Sequence, residues 1–140
     1  MSKQELKDQV LEILEKNKVG TLATVQNNRP HSRFMTFFNK ELTLYTATNK
    51  KTHKVEEIKK NPFVHILIGY DGNGVGDSFL EIEGEAFIEE SEEIKKQVWN
   101  SHFEKWFSGP NDPNYIILKI QPLLFRLMNN DSMEPITLEL

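Results

Sequence analysis

The side chains best suited to bind an anion come from three successive predicted elements of the chain. Arg33 lies within an apolar run beside Phe34 and Phe37, and a cation in such surroundings needs an anionic partner. Hydroxyl and ammonium groups follow on the next strand and at the start of a helix: Thr46, Thr48, Lys51, Thr52 and Lys54. Alternation puts both strand threonines on one face, and a helix N-terminus favours a negative charge. The spacing predicts a phosphate pocket; the alternative is that these charges stay apart on the surface.

Other patterns point to chemistry less strongly. The glycine-rich run Asp71 to Asp77 lacks the spacing and the following helix of a dinucleotide-binding loop, and Val75 and Ile82 stand where a calcium loop needs oxygen ligands. A hairpin loop is predicted there instead. The histidines show no i, i+3 or i, i+4 pairing for a metal, and no G-x-S-x-G motif indicates a hydrolytic triad. The carboxylates from Glu81 to Glu85 alternate as on a solvated strand face. No metal site and no general acid or base is predicted.

Composition narrows the class of protein. A chain of 140 residues is the size of one domain, so a single domain spanning 1–140 is expected. The net charge of -4, with Lys and Arg scattered among acidic residues, disfavours nucleic-acid binding. The absence of cysteine excludes disulfides, thiolate nucleophiles and Cys-based zinc or iron–sulfur sites. No stretch resembles a signal peptide or a membrane span, so we expect a cytoplasmic protein without membrane association.

The elements that must position these groups begin with an amphipathic helix. Ser2 and Glu5 form a capping-box pattern, and apolar residues recur at i, i+4, i+7 and i+8 from Leu6 up to an end near Asn17. This helix should pack as a lid on an apolar surface. Three short strands joined by hairpin turns are predicted next, at Val19 to Val25, His31 to Phe38 and Leu42 to Thr48.

The rest of the chain alternates between strands and helices. A short helix is predicted over Lys51 to Lys60 and ends before Pro62. Further strands are predicted at Phe63 to Tyr70, Ser78 to Ile88, Tyr115 to Ile120 and Leu123 to Met128, the last two separated by Pro122. A third helix is predicted from Ser91 to Phe107, with an apolar stripe of Ile94, Val98, His102, Phe103 and Trp106. Six to seven mostly antiparallel strands with inserted helices indicate a mainly β fold, a small barrel whose closure removes exposed edges.

Several of these segments, in this order, resemble a known family. Arg29 to Phe38, Leu44 to Thr48, Lys51 to Val55 and Asn61-Pro62 resemble the flavin-binding half of the pyridoxamine 5'-phosphate oxidase-like family. Trp99, Trp106-Phe107, Asp112-Pro113 and the closing strand resemble its general stress protein 26 branch. The resemblance covers nearly the whole chain. It implies an FMN-binding split β-barrel that forms a homodimer, with the cofactors in clefts between the subunits.

The resemblance also assigns site residues. Those matching the family's FMN phosphate ligands are Arg33 and Lys54, with Thr46, Thr48 and Lys51 beside them. Those matching the border of the isoalloxazine ring are Met35, Thr36 and Phe37, with Trp106 approaching from the partner subunit. For Trp106 the alternative is that it merely extends the apolar stripe of its helix into the core.

The function implied is that of a flavin-dependent oxidoreductase with a stress-related role. The alternatives are a non-catalytic flavin-binding or flavin-sequestering module, and a split barrel that uses FAD, deazaflavin or haem. Phe125 to Met128 stands where relatives often carry a Trp, and the C-terminal segment from Glu134 lacks the basic substrate-binding residues of the oxidase. Pyridoxamine 5'-phosphate oxidation is therefore not implied.

Overall fold

The computed structural model describes residues 1–73, 77–130 and 134–140 of the chain. Its helices are α1 (Lys3–Lys16), α2 (His53–Lys60), α3 (Glu92–Val98) and a 3-10 helix (Ser101–Lys105). Its strands are β1 (Val19–Gln26), β2 (Arg29–Lys40), β3 (Thr43–Asn49), β4 (Phe63–Ile68), β5 (Phe79–Glu89), β6 (Tyr115–Met128) and β7 (Ile136–Glu139). The hairpin loop predicted at Asp71 to Asp77 lies partly outside the described residues. Within it, the Asp77 carboxylate accepts hydrogen bonds from the backbone amides of Asp71, Gly72 and Asn73.

Six antiparallel strands close into a barrel. The strands follow the order β3-β2-β1-β4-β5-β6, and a further pairing of β3 with β6 joins the two ends, while β7 adds to the outer edge of β6. Closure pairs every barrel strand on both sides over part of its length, which removes the exposed edges that an open sheet would leave. The predicted mainly β barrel with inserted helices is confirmed.

The core fills the barrel interior and is sealed by α1. Inward-facing residues such as Leu22, Ile82 and Phe125 are fully buried, as the alternation of a one-sided strand requires. Leu6, Val10 and Leu14 of α1 join the same cluster, so the predicted lid is confirmed. The Ser2 hydroxyl caps α1 by accepting a hydrogen bond from the Glu5 amide at 3.1 Å. Among the described residues, no helix is both long enough and apolar enough to span a bilayer.

The last barrel strand is continuous, and the prediction of two strands separated by Pro122 is wrong. β6 passes through Pro122 at an irregularity in its register with β5, where Gly84 lies opposite the proline. A bulge is one of the places where a strand tolerates a proline, since the missing N–H interrupts no ladder bond there. Gly84 is required at this point because a Cβ would lie 2.9 Å from the Gln121 carbonyl oxygen. Strand β7 was also not predicted; its Leu138 packs into the core.

The prediction of one long third helix is also wrong, because α3 ends at Val98. The Asn100 side chain accepts a hydrogen bond from the His102 amide at 2.9 Å and starts the separate 3-10 helix. The break rotates the downstream residues, so His102 and Trp106 of the predicted stripe are exposed. Phe107 is buried instead and packs on Tyr115 with ring centroids 5.2 Å apart.

Candidate functional site

A split between β2 and β3 creates the candidate site. The two strands pair only from Phe37 to Lys40 against Thr43 to Thr46. Beyond that point β2 continues alongside β1 and β3 continues alongside β6, so the strands diverge. A pocket of about 460 Å³ opens where they separate.

The walls of the pocket come from five elements. Strand β2 contributes Phe34, Met35 and Thr36, and β3 contributes Ala47, Thr48 and Asn49. Thr52 and Lys54 lie at the N-terminal end of α2. Val19 and the aromatic residues Phe103, Trp106 and Phe107 complete the lining. The pocket therefore has polar groups at the α2 end and aromatic groups from the segment around the 3-10 helix.

The polar end is organised around Lys54. Its Nζ donates to the hydroxyl of Thr48 at 2.7 Å and lies 3.4 Å from that of Thr52. In the described part of the chain, no carboxylate is in ion-pair contact with this half-buried ammonium. Burial lowers the pKa of Lys54, the charge of Arg33 lowers it further, and Glu57 acts in the opposite direction. The group is thus a cation whose direct partners are neutral hydroxyls.

Arg33 has an internal anionic partner. Its Nη2 lies 3.3 Å from Oε2 of Glu57 on α2, and its Nη1 donates to the Thr24 hydroxyl at 2.7 Å and the Leu22 carbonyl at 3.2 Å. The Thr24 hydroxyl donates to the same Glu57 oxygen at 2.5 Å. The anionic partner that the apolar context of Arg33 demanded is therefore present within the chain.

Glu57 is the charged residue that sequence reasoning missed. Its side chain is 4% exposed, yet in sequence it lies off the stripe of Val55 and Ile58 and looks like a solvated helix position. Burial by itself would raise the pKa of Glu57, but the hydrogen bond from Thr24 and the charges of Arg33 and His31 outweigh it, so the pKa is lowered. The only signal in the sequence was the need of Arg33 for an anion, which does not say which carboxylate supplies it.

The structure brings some of the predicted residues to the pocket and places others elsewhere. Met35, Thr36, Thr48, Lys54 and Trp106 line it together. The four predicted residues that do not appear in the described lining are Arg33, Phe37, Thr46 and Lys51. Sequence reasoning did not single out Phe34, Phe103 or Phe107 as site residues, because nothing local shows that β2 and β3 diverge beside them.

Each of the four residues outside the lining has a defined place. Phe37 is 2% exposed and belongs to the barrel core. The buried Thr46 hydroxyl donates to the Thr36 carbonyl at 2.7 Å and so bridges the two strands where they begin to part. Lys51 is exposed beside the pocket end, with its backbone amide bonded to the Asn49 side chain. Arg33 lies behind Lys54 in contact with Glu57.

Trp106 lies at the mouth of the pocket. Its side chain is 67% exposed, so the alternative that it extends the core stripe is wrong. The neighbouring Phe107 takes the buried position instead and is 8% exposed. Trp106 lines the pocket of its own chain. In the described residues, no group of three or more His, Asp or Glu side chains is arranged to hold a metal ion.

The same barrel occurs in proteins with different cofactors in their names. An FAD-binding protein from Mesorhizobium loti superposes with a TM-score of 0.66 at 19% identity, over 84% of this chain and 89% of that chain. A haem-binding protein from Mycobacterium smegmatis superposes with a TM-score of 0.76 at 13% identity, over 99% of this chain and 58% of that chain. At these identities the likeness shows the fold alone.

Relatives of higher identity define the family. General stress protein 26 of Bacillus subtilis strain 168 is 53% identical over 140 residues, and both chains are covered completely. The crystal structure of general stress protein 26 from Bacillus anthracis strain Sterne has a TM-score of 0.88 at 36% identity, over 97% of this chain and 99% of that chain. The family model of pyridoxamine 5'-phosphate oxidase matches residues 6–129. The chain therefore belongs to the pyridoxamine 5'-phosphate oxidase-like family of split barrels, in the branch of general stress protein 26.

Proposed function

We propose that the chain binds FMN in the pocket between β2 and β3 and serves as an FMN-dependent oxidoreductase. The observation that carries this proposal is Lys54, a half-buried ammonium whose direct partners are the hydroxyls of Thr48 and Thr52. A desolvated cation without a contacting carboxylate is stabilised by an anionic ligand, and it lies at one end of a pocket large enough for a small cofactor.

The polar end suits a phosphate. The two threonine hydroxyls lie 3.5 Å apart next to the ammonium, so donors converge on one region at the start of α2. Arg33 stands behind them with N–H groups left over after its bonds to Glu57, Thr24 and the Leu22 carbonyl, because a guanidinium has five. We assign Lys54, Thr48 and Thr52 to direct contact with the phosphate, and Arg33 to a supporting contact.

The remaining surface suits a flavin ring. The Phe37 amide donates to the Lys18 carbonyl on the β1 side of β2. Because backbone polar groups of successive residues point to opposite sides of a strand, those of Phe34 and Thr36 point toward the split between β2 and β3. Such groups match the polar edge of an isoalloxazine ring, while Met35 and Trp106 offer apolar and aromatic surface. When bound, FMN supplies the capacity to accept and pass on electrons. The chain's own residues hold it, orient it and shield it from water.

The shape of the pocket favours a homodimer. Three large apolar side chains around its mouth are strongly exposed: Val19 at 60%, Phe34 at 77% and Trp106 at 67%. Val19 and Phe34 also belong to a larger apolar surface on the outside of the barrel. We call it the outer sheet face and define it by four exposed residues on three adjacent strands, Val19, Phe34, Phe63 and Leu67. Burying such a face is favourable, and an exposed patch of this kind is typical of an interaction site. We infer that a second copy of the chain covers it and completes the cofactor cleft.

A non-catalytic flavin-binding module is the second candidate. Lys54 is the one titratable side chain in the described lining of the pocket, so no positioned acid or base indicates a particular reaction. No histidine is present in that lining to ligate haem, and this favours a flavin over haem. A role in the cell's response to stress is proposed from the name of the Bacillus subtilis relative.

The first test is the cofactor of the purified protein. We expect a flavin absorption spectrum and, on denaturation, release of a molecule with the mass of FMN. Binding of FMN to the flavin-free protein should be tighter than binding of riboflavin, which lacks the phosphate. Anaerobic reduction of the bound flavin by NADH or NADPH, followed by reoxidation with an acceptor, would support the oxidoreductase; a flavin that no donor reduces would support the storage module. Equal affinity for FMN and riboflavin would overturn the phosphate assignment.

A further inference from the structure

Glu57 connects the anion-binding end of the pocket to the barrel wall. One of its oxygens, Oε2, receives the Thr24 hydroxyl at 2.5 Å and lies 3.3 Å from Nη2 of Arg33. The Arg33 guanidinium is also tied to the Leu22 carbonyl of β1. Residues from β1, β2 and α2 therefore meet at a single buried carboxylate. Glu57 itself is not part of the described pocket lining, so any influence on a ligand passes through its neighbours.

Around the polar end of the pocket, positively charged side chains outnumber negatively charged ones. The two cations are Arg33 and Lys54, the carboxylate whose charge acts on Lys54 is Glu57, and the charges of Arg33 and His31 act in turn on Glu57. These come from β2 and α2, and the β1 and β3 side chains in contact with them, Thr24 and Thr48, are neutral hydroxyls. One buried negative charge thus stands near two positive charges, the guanidinium of Arg33 and the ammonium of Lys54, and one positive charge is left for a ligand.

We propose that Glu57 is a positioning residue that serves as shared counter-ion for Arg33 and Lys54, so that Lys54 stays charged and both cations are oriented toward a phosphate group in the pocket. This inference rests on the proposed function. Two half-buried cations repel each other, and a carboxylate between the barrel wall and the helix offsets that repulsion. Because the carboxylate is held from β1 and Arg33 is held by it, the guanidinium has a defined direction before any ligand arrives.

The test replaces Glu57 by Gln, which keeps an acceptor oxygen for Thr24 but removes the charge. The matched control is Glu56→Gln on the same helix, where the carboxylate is 66% exposed and pairs only with Lys59 among the described residues. Two quantities are measured, both starting from flavin-free protein. The first is the titration of the Lys54 side chain, followed by NMR of ¹³C-labelled lysine; the Lys54 signal is the one that disappears in Lys54→Met. The second is the ratio of FMN affinity to riboflavin affinity, measured from neutral to alkaline pH.

We expect the Lys54 titration to move to lower pH in E57Q and to stay near that of the parent in E56Q. The preference for FMN over riboflavin should then fall by up to about tenfold in E57Q at alkaline pH, where an uncharged Lys54 loses a charge-assisted bond. An unchanged titration and an unchanged pH profile in E57Q would overturn the positioning role and leave Glu57 as a merely structural residue.

The two readouts separate this inference from the proposed function. If the parent binds neither flavin but the Lys54 titration shifts in E57Q alone, the cofactor assignment fails and the shared counter-ion stands. If E57Q does not fold, the double variant Arg33→Gln with Glu57→Gln is compared with Arg33→Gln alone, and its Lys54 should titrate at lower pH because only the double variant also loses the charge of Glu57. A double variant whose Lys54 titrates as in Arg33→Gln would contradict the shared role.

Discussion

The guanidinium of Arg33 on β2 lies 3.3 Å from the buried carboxylate of Glu57 on α2. This ion pair joins the barrel to α2, the helix that carries the pocket residue Lys54. The two cations therefore have different partners: Arg33 is paired with a carboxylate of the protein, whereas Lys54 lines the pocket and is bonded to hydroxyl groups.

Replacing Lys54 by Ala should weaken FMN binding about 10- to 100-fold, since a charge-assisted contact of roughly 1.5 to 3 kcal/mol is lost. Riboflavin affinity should stay the same, because riboflavin has no phosphate. The control is Lys59→Ala on the same helix, whose side chain is 52% exposed and pairs with Glu56. Fluorescence titration with both flavins measures the effect. An equal loss for riboflavin would mean that Lys54 supports the ring and not the phosphate.

Replacing Arg33 by Ala should destabilise the flavin-free protein, in contrast to Lys54→Ala. The change leaves Glu57 buried without its cation, and breaking a buried pair from one side costs about 3 to 5 kcal/mol; the partial exposure of Arg33 puts the expected loss at or below the lower end. Adding Glu57→Gln to Arg33→Ala should restore part of the loss. Urea unfolding of the three proteins provides the free energies. Equal stability of parent and Arg33→Ala would show that the pair contributes little.

The acid stability of the protein should depend on Glu57. Its pKa in the folded state is held below the ordinary value of 4.5, so the unfolded chain takes up a proton first as the pH falls. The stabilisation is therefore complete above that ordinary value and is lost as the pH falls through the lower pKa of the folded state. The free energy of unfolding should decrease less steeply with acid in E57Q than in the parent or in E56Q. Identical slopes in all three proteins would contradict the lowered pKa.

Trp106 and Phe107 should respond differently to replacement by Ala. Trp106 is 67% exposed at the pocket mouth, so its loss should cost the flavin-free protein under about 1 kcal/mol and mainly weaken flavin binding. Phe107 is 8% exposed and packs on Tyr115, so its loss should destabilise by about 3 to 5 kcal/mol with or without flavin. Thermal melts with and without saturating FMN distinguish the two. A large loss of stability in flavin-free Trp106→Ala would remove this residue from the site.

Sedimentation at micromolar concentration should give about twice the chain mass of 16.3 kDa. Phe63, 56% exposed on the outer sheet face, is the position to test, because Phe63→Glu places a charge where apolar surface should be buried. This variant should shift toward the monomer. Leu140→Glu alters an equally exposed apolar residue near β7 and should leave the dimer intact. A parent that sediments as a monomer with flavin bound would exclude the dimer.

Local patterns in the sequence determined most of the secondary structure. The lid helix follows from its capping box and its apolar spacing, and Ser2 and Leu6 behave as those patterns require. The strands follow from alternation and turn residues. At Pro122 the local rule failed and a tertiary contact decided: the proline stays inside β6 because a bulge opposite Gly84 accommodates it.

In the candidate site, too, local sequence patterns determined some features and tertiary contacts determined the others. The sequence by itself determined that Arg33 needed an anion and that threonines and Lys54 lay near enough in the chain to meet a phosphate. Only the tertiary structure decided that Glu57 supplies the anion and that the separation of β2 from β3 opens the pocket. The physical reason is that ion pairing and strand divergence depend on distances between residues far apart in sequence, whereas periodicity and capping depend on neighbours a few residues away.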